Sequence, residues 1–308
     1  ATSNCLEGIV MNNELMDADF GSGRINALFL PPLRMRCLNL LATSILPSVL
    51  SGLEYLLEHC YRKKGAVFKS PNSLKEYASF IAIRVIKALR SVRMLAVSYE
   101  TESIYSIGRS LFECYVYLKN INDDQVFFDE EILPVLNSHE YGFEVNEGQI
   151  NYKKMHISKA LNSAKRKRGK SLYRLNKQCG PAIDSDLYNY YYQPACQFVH
   201  IDAFTAVAGF YEEDLYAEFD SSLVATTCVL ATAILVLEQL AKLALISELQ
   251  ARDLMHLSSE CAYRICDCLM MLAVDPEQSE DEYHQLLKRL KMVEGNSWSF
   301  NEGDFSEA

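Results

Sequence analysis

An arginine and a glutamate stand four residues apart in the stretch ESIYSIGRSLFECYVYLKNI, which runs from Glu102 to Ile121. On a helix these two side chains, Arg109 and Glu113, share a face and lie close enough to pair. With Glu113 orienting the guanidinium, the other N–H donors of Arg109 are free to take a phosphate or a developing oxyanion. Far downstream, the run YYYQPACQFVHIDAF carries His200, whose imidazole has the ordinary pKa suited to proton transfer near neutrality. Tyr192, Cys196 and His200 follow one another at helical spacing there, in a register that a kink at Pro194 would rotate. A histidine and an arginine form a minimal set for metal-independent RNA cleavage. One takes the 2′-hydroxyl proton while the other stabilises the pentavalent phosphate. The same residues also have a plain structural reading: an intrahelical pair worth roughly a few tenths of a kcal/mol and a core histidine, together fixing helix register.

A third group is basic. Lys165, Arg166, Lys167 and Arg168 sit in SAKRKRGKSLYRLNK, the one dense cationic run of a chain with a net charge of -10. It reads as a solvated loop, as a strip that follows phosphates with Tyr173 as a stacking partner, or as a dock for the acidic C-terminal tail. The overall negative charge argues against a general affinity for nucleic acid. No phosphate-binding glycine loop, dinucleotide fingerprint, zinc-protease motif or nucleophile elbow is present. Ten cysteines lie scattered through apolar stretches, as reduced core thiols do. The closest three, Cys261, Cys266 and Cys268, lack the spacing of a zinc site. No metal and no cofactor are expected, and the expected compartment is the cytoplasm, with no membrane as partner.

The elements that must position these residues are helices. Ile104, Ile107, Leu111, Tyr115 and Leu118 form an apolar stripe at helical spacing, with Arg109 and Glu113 on its flank beside Tyr105. Ser73 caps a helix expected to reach about Ser98, and Pro47 predicts a kink or a break in the apolar segment before it. Residues 223–237 form the most apolar run of the chain, too short to span a bilayer before Glu238 and Lys242 interrupt it, so a buried core helix is expected. Helices over Arg252 to Ala273 and on to about Val293 follow. The fold class is all-α: an antiparallel helical bundle with an N-terminal helical extension and a polar insertion. The expected organisation is an N-terminal arm over 1–30 and one helical domain over 31–293. Its core spans about 74–121 and 185–273, its insertion 122–184, and a disordered acidic tail covers 294–308.

The segments R-S-L-F-E-C-Y-V-Y-L and Y-Y-Q-P-A-C-Q-F-V-H resemble a large uncharacterised family of bacterial helical domains. Those domains carry R-x-x-x-E on one core helix and Y-x-x-x-[S/C] followed by a histidine on a later one. The likeness covers about Leu74 to Leu249, and it implies Arg109, Glu113, Tyr192, Cys196 and His200 as motif residues. Serine is the more usual residue where Cys196 stands, and Pro194 is not part of the pattern. The family is also similar, at a distance, to HEPN helical bundles, in which an arginine and a histidine form an RNase site across a dimer. The HEPN arrangement of both residues within one helix is absent here.

The resemblance implies an endoribonuclease or other nucleic-acid-directed effector of a defence or toxin type, with Arg109, Glu113 and His200 as catalytic residues. Tyr105, Tyr192, Cys196 and the four residues Lys165, Arg166, Lys167 and Arg168 are the expected binding residues. Expected partners are RNA or a nucleotide, an antitoxin-like protein, and a second copy of the chain in a homodimer. The alternative is a helical interaction module, or a small-ligand or nucleotide sensor, in which the trio is structural.

Overall fold

The computed structural model describes residues 32–61, 73–133, 141–146, 149–157, 171–197, 215–243, 247–272 and 282–296. Helix α1 (Pro32–Leu40) passes through a π turn (Leu41–Ile45) into α2 (Leu46–Tyr55), which ends in a second π turn (Leu56–Tyr61). Next come the long helices α3 (Leu74–Val97) and α4 (Thr101–Asp123), then short α5 (Gln125–Phe127) with a third π turn (Phe128–Ile132). Two strands, β1 (Tyr141–Asn146) and β2 (Gln149–Ile157), precede α6 (Leu172–Gln178) and α7 (Ile183–Leu187). A fourth π turn (Tyr188–Tyr192) leads into α8 (Gln193–Gln197), and the chain ends in α9 (Leu215–Lys242), α10 (Glu248–Leu272) and α11 (Glu282–Asn296). The architecture is an all-α antiparallel bundle with a β-hairpin in the polar insertion.

Helix α9 is the axis of the bundle. It packs most extensively along α4 and also meets α3, α10 and α11. Every residue from Leu223 to Leu237 except Thr226 is buried. The uncharged run thus lies against the Glu102–Ile121 helix, as its composition predicts. Two described segments, Arg34–His59 and Ser221–Lys242, are long and apolar enough to cross a membrane, but the window in the second is 94% buried inside the protein. Its hydrophobicity is used against protein neighbours. Helix α1 is fixed to α10 by Arg34 Nη1, which donates to Met271 O at 2.7 Å.

Proline positions explain two of the π turns. The turn Leu41–Ile45 ends two residues before Pro47, and the turn Tyr188–Tyr192 ends two residues before Pro194. A proline within a helix lacks the N–H that would bond the carbonyl four residues back, and its ring crowds that carbonyl. A widened turn just ahead relieves the conflict: the Gln193 N–H reaches back to Tyr188 O and the Leu46 N–H to Leu41 O, each five residues away. The helix therefore bulges where a sharp kink or break was expected.

Ser73 caps α3 as predicted, its Oγ accepting from the Glu76 N–H at 3.3 Å. At the other end, Glu100 N–H bonds Leu95 O and Tyr99 N–H bonds Ala96 O, a pattern whose left-handed position is usually glycine. Here it is Tyr99, at φ 57°. A side chain in that conformation costs roughly 1–2 kcal/mol.

The hairpin was not anticipated. Strand β1 pairs antiparallel with β2, Tyr141 opposite Ile157 and Asn146 opposite Gln149, with an irregularity between Phe143 and Glu144. The stretch from Tyr152 is strand as far as Ile157.

Candidate functional site

The stripe on α4 sets the position of Arg109. Ile104, Leu111, Tyr115 and Leu118 are fully buried against the bundle, which turns the flank carrying Arg109 and Glu113 towards the segment around Tyr192. Gly108 makes the approach possible, since a Cβ there would overlap the Tyr191 hydroxyl and lie 2.9 Å from Val229 Cγ2. Phe112 wedges between the two elements, its ring centroid 6.2 Å from that of Tyr191 and 5.3 Å from that of Tyr192.

Arg109 Nε lies 3.4 Å from Glu113 Oε1, an ion-pair distance without a hydrogen bond, and the side chains are 31% and 34% exposed. The Tyr192 hydroxyl links the pair. It donates to Glu113 Oε1 at 3.0 Å, and the Arg109 guanidinium sits 5.9 Å from the centroid of the tyrosine ring. The Tyr192 hydroxyl raises the arginine's affinity for its proton, against burial and with help from the nearby Cys196 and Glu113. Burial pushes the Tyr192 phenol well above its ordinary range, so it stays protonated. The Cys196 thiol is also raised, by burial first, with Tyr192 and Arg109 pulling the other way. Cys196 is therefore a neutral wall of the site. The thiolate needed by a cysteine nucleophile is disfavoured.

Aromatic rings extend outward from this cluster. Tyr192 stacks on Tyr188 at 5.1 Å, and Tyr188 meets Tyr173 edge-on at 5.4 Å. Tyr173 is exposed, with Lys177 Nζ 4.5 Å from its ring centroid. A row of rings with a cation at each end thus runs from Arg109 to the surface. Rings in such a row offer π-faces to planar groups, and the cations offer charge to anions.

Among the other predicted residues, Tyr105 is buried within the hydrophobic core. His200 and the basic residues Lys165, Arg166, Lys167 and Arg168 lie outside the described residues.

A second polar constellation was missed. Asp184 Oδ2 accepts from the Tyr115 hydroxyl and from Lys119 Nζ, each at 2.7 Å. Lys119 Nζ also donates to Asn176 O at 3.1 Å and Oδ1 at 2.8 Å, while Asn176 Nδ2 donates to Asp184 O at 2.6 Å. Arg289 Nε donates to the Tyr115 hydroxyl at 3.2 Å and lies 3.3 Å from Asp184 Oδ1. Its Nη2 donates to Glu238 Oε2 at 2.7 Å, and Lys242 Nζ reaches Glu238 Oε1 at 2.7 Å. All members except Lys242 are buried. Burial alone would raise Glu238, but Arg289 and Lys242 outweigh it and hold the carboxyl below its ordinary range. Paired acids and bases deep inside α4, α7, α9 and α11 fix how those helices meet, and their burial keeps solutes away. Asp184 lies in the first turn of α7, whose cap position is Ala182, and is part of this network. The signal was present in the sequence: Lys119 continues the buried stripe four residues after Tyr115, and Glu238 interrupts the most apolar run.

Of the ten cysteines, eight have described side chains; these eight are free, and Cys196 alone among them is not buried. No cluster of metal ligands occurs among the described residues.

Residues 75–214 match the model of a family of unknown function, DUF5677. The match spans the Arg109–Glu113–Tyr192 cluster and leaves out Glu238 and Arg289. Together with the architecture it marks an uncharacterised helical domain. No curated protein and no solved structure matches the chain.

Proposed function

We propose that the chain is a nucleic-acid-directed effector of a defence or toxin type that cleaves RNA without a metal, with Arg109 as its phosphate-binding residue. The observation that carries this reading is the held state of Arg109. Glu113 and Tyr192 orient the guanidinium through an ion pair and a cation–π contact, while nearly a third of the side chain stays exposed. That leaves donors of the fork for a phosphodiester. The tyrosine row leading away to Lys177 suits successive bases of a single strand, where stacking tolerates any sequence. The run Lys165 to Arg168 adds backbone charge.

His200 supplies the proton transfer. The 2′-hydroxyl gives its proton to the imidazole and attacks phosphorus, and Arg109 neutralises the charge on the pentavalent phosphate. The bond to the 5′-oxygen then breaks, and that oxygen takes a proton back from the imidazolium. A cyclic phosphate and a 5′-hydroxyl result. The reading includes a homodimer in the cytoplasm and an antitoxin-like partner.

The test pairs RNA cleavage with thermal melts for Arg109→Ala, His200→Ala and Tyr173→Ala. Retained folding with loss of cleavage in the first two, and weakened RNA binding in the third, supports the proposal. A wild-type protein that neither binds nor cleaves single-stranded RNA removes it, leaving the interaction-module reading.

A further inference from the structure

A half-open pocket lies where the π turn Leu41–Ile45 and its flanks, the C-terminal end of α3 and the N-terminal half of α9 meet. It holds about 700 Å³ of empty space, the open mouth included, and shares no lining residue with the Arg109 cluster. We propose that this pocket binds a neutral aliphatic alcohol, medium-chain in chemical class, with its alkyl chain among the leucines and its hydroxyl held by Ser222 and Thr226.

Leu38, Leu41, Leu46, Leu223 and Leu230 make much of the wall, and Ala42 and Ala96 stand between them with little side chain to fill the space. Such a surface takes an alkyl chain. Ser222 supplies a second, independent observation. It lines the pocket, is 2% exposed, and its Oγ has no hydrogen-bond partner among the described residues. Buried hydroxyls are ordinarily bonded, and the cost of leaving one unpaired is recovered when a ligand oxygen accepts its proton. Thr226, one turn on and also in the wall, has the complementary capacity. Its Oγ1 donates to Ser222 O at 2.8 Å, which commits its proton and leaves lone pairs that can accept. A ligand hydroxyl suits both residues: it accepts from Ser222 Oγ and donates to Thr226 Oγ1.

Ions and water fit less well. Arg93 is the one charged residue among the described lining residues, and it already has an interaction within the protein. An ionic head group would have to disturb that interaction or go unpaired among leucines. A water molecule could make the same two hydrogen bonds to Ser222 and Thr226 but would leave the aliphatic walls wet. An alcohol makes both bonds and covers the walls with its chain.

The experiment measures binding of octanol, the methyl ketone of the same length, octanoate and octylammonium to the full chain, below their solubility limits, by calorimetry and thermal shift. Octanol is expected to bind once per chain, more tightly than the ketone, which cannot donate to Thr226, and about tenfold or more tighter than either ion. Ser222→Ala should raise the melting temperature of the free protein, since it removes an unpaired buried hydroxyl, yet weaken octanol binding about tenfold. A serine with a purely structural role would not give those opposite signs. Thr226→Val should weaken octanol and spare the ketone. Ala96→Phe, which fills the pocket from a half-buried position, should abolish binding of both. No octanol binding, a ketone or an ion that binds as tightly as octanol, octanol binding unchanged in Ser222→Ala, or binding that survives Ala96→Phe would overturn the proposal. Self-association broken by Ala96→Phe without octanol binding would assign the pocket to a second copy of the chain and overturn it equally.

Discussion

Lys119 Nζ and Asp184 Oδ2 meet at 2.7 Å, from residues 65 apart in sequence, with side-chain exposures of 4% and 0%. Neither partner has water to fall back on. Lys119→Met should therefore cost ~3–5 kcal/mol, because it removes a buried cation and leaves Asp184 to share Arg289 with Glu238. Lys119→Met with Asp184→Asn should cost clearly less than the sum of the single changes. Urea unfolding of the three variants measures the coupling, and additive losses would show that the two groups do not depend on each other.

Gly180 sits beside that pair at φ 84°, where a Cβ would fall 2.8 Å from Asp184 Oδ2 and 3.3 Å from Lys119 Cδ. Gly180→Ala should lose at least ~1–2 kcal/mol from backbone strain alone, before the crowding of the carboxylate is added. An unchanged melting temperature would mean that the turn can move away from the pair.

Glu238 sets an acid limit on stability. Its folded pKa lies below the ordinary glutamate value: burial pushes it up, but Arg289 and Lys242 more than compensate. A carboxyl of this kind contributes stability that is complete above the unfolded pKa, about 4.3, and is lost as pH falls through the folded value. Urea midpoints should hold steady from neutrality to about pH 5 and decline below it. Glu238→Gln should be less stable at neutral pH and flatter on the acid side. An identical acid slope in the variant would reject the assignment.

Thiol labelling separates Cys196 from the rest. It is the one described cysteine that is not buried, and burial of its sulfur still raises its pKa. Among the described cysteines it should be labelled first in the native protein, slowly at pH 7 and faster as pH rises. Cys114 and Cys179, each pushed up to about 11 with burial the leading cause, should label only on unfolding. Rapid native labelling of Cys114 would contradict the packing of α4 against its neighbours.

Regular periodicity made much of the bundle readable. The stripe Ile104, Leu111, Tyr115, Leu118 repeats at helical spacing because one face of α4 is buried along its length, and Arg109 fell on the flank for the same reason. The turn of Tyr192 towards Glu113 was not readable, because it depends on a π turn ahead of Pro194 that spacing does not reveal. The ion network was missed for another reason. Lys119, Asp184, Glu238 and Arg289 each have an ordinary local explanation, and only the fold shows that they share one site. The hairpin escaped because its alternation, Tyr141, Phe143, Val145 against Ile157, Met155, Ile150, is short and broken by an irregularity.

Arg289 lies in the final described helix, yet it completes a site whose other buried charges are present by Glu238. During synthesis the ribosome therefore releases both carboxylates, Asp184 with Lys119 already available to it, before the cation that bridges them. Until α11 arrives, Glu238 keeps Lys242 at the rim and the Gln239 amide, which donates to its Oε2 at 3.1 Å, but lacks the guanidinium of Arg289. The bundle's interior is thus completed late, with α11 supplying the cation that the two carboxylates share. A chain broken off between α10 and α11 would hold an open, hydrated centre, a state proteases recognise readily.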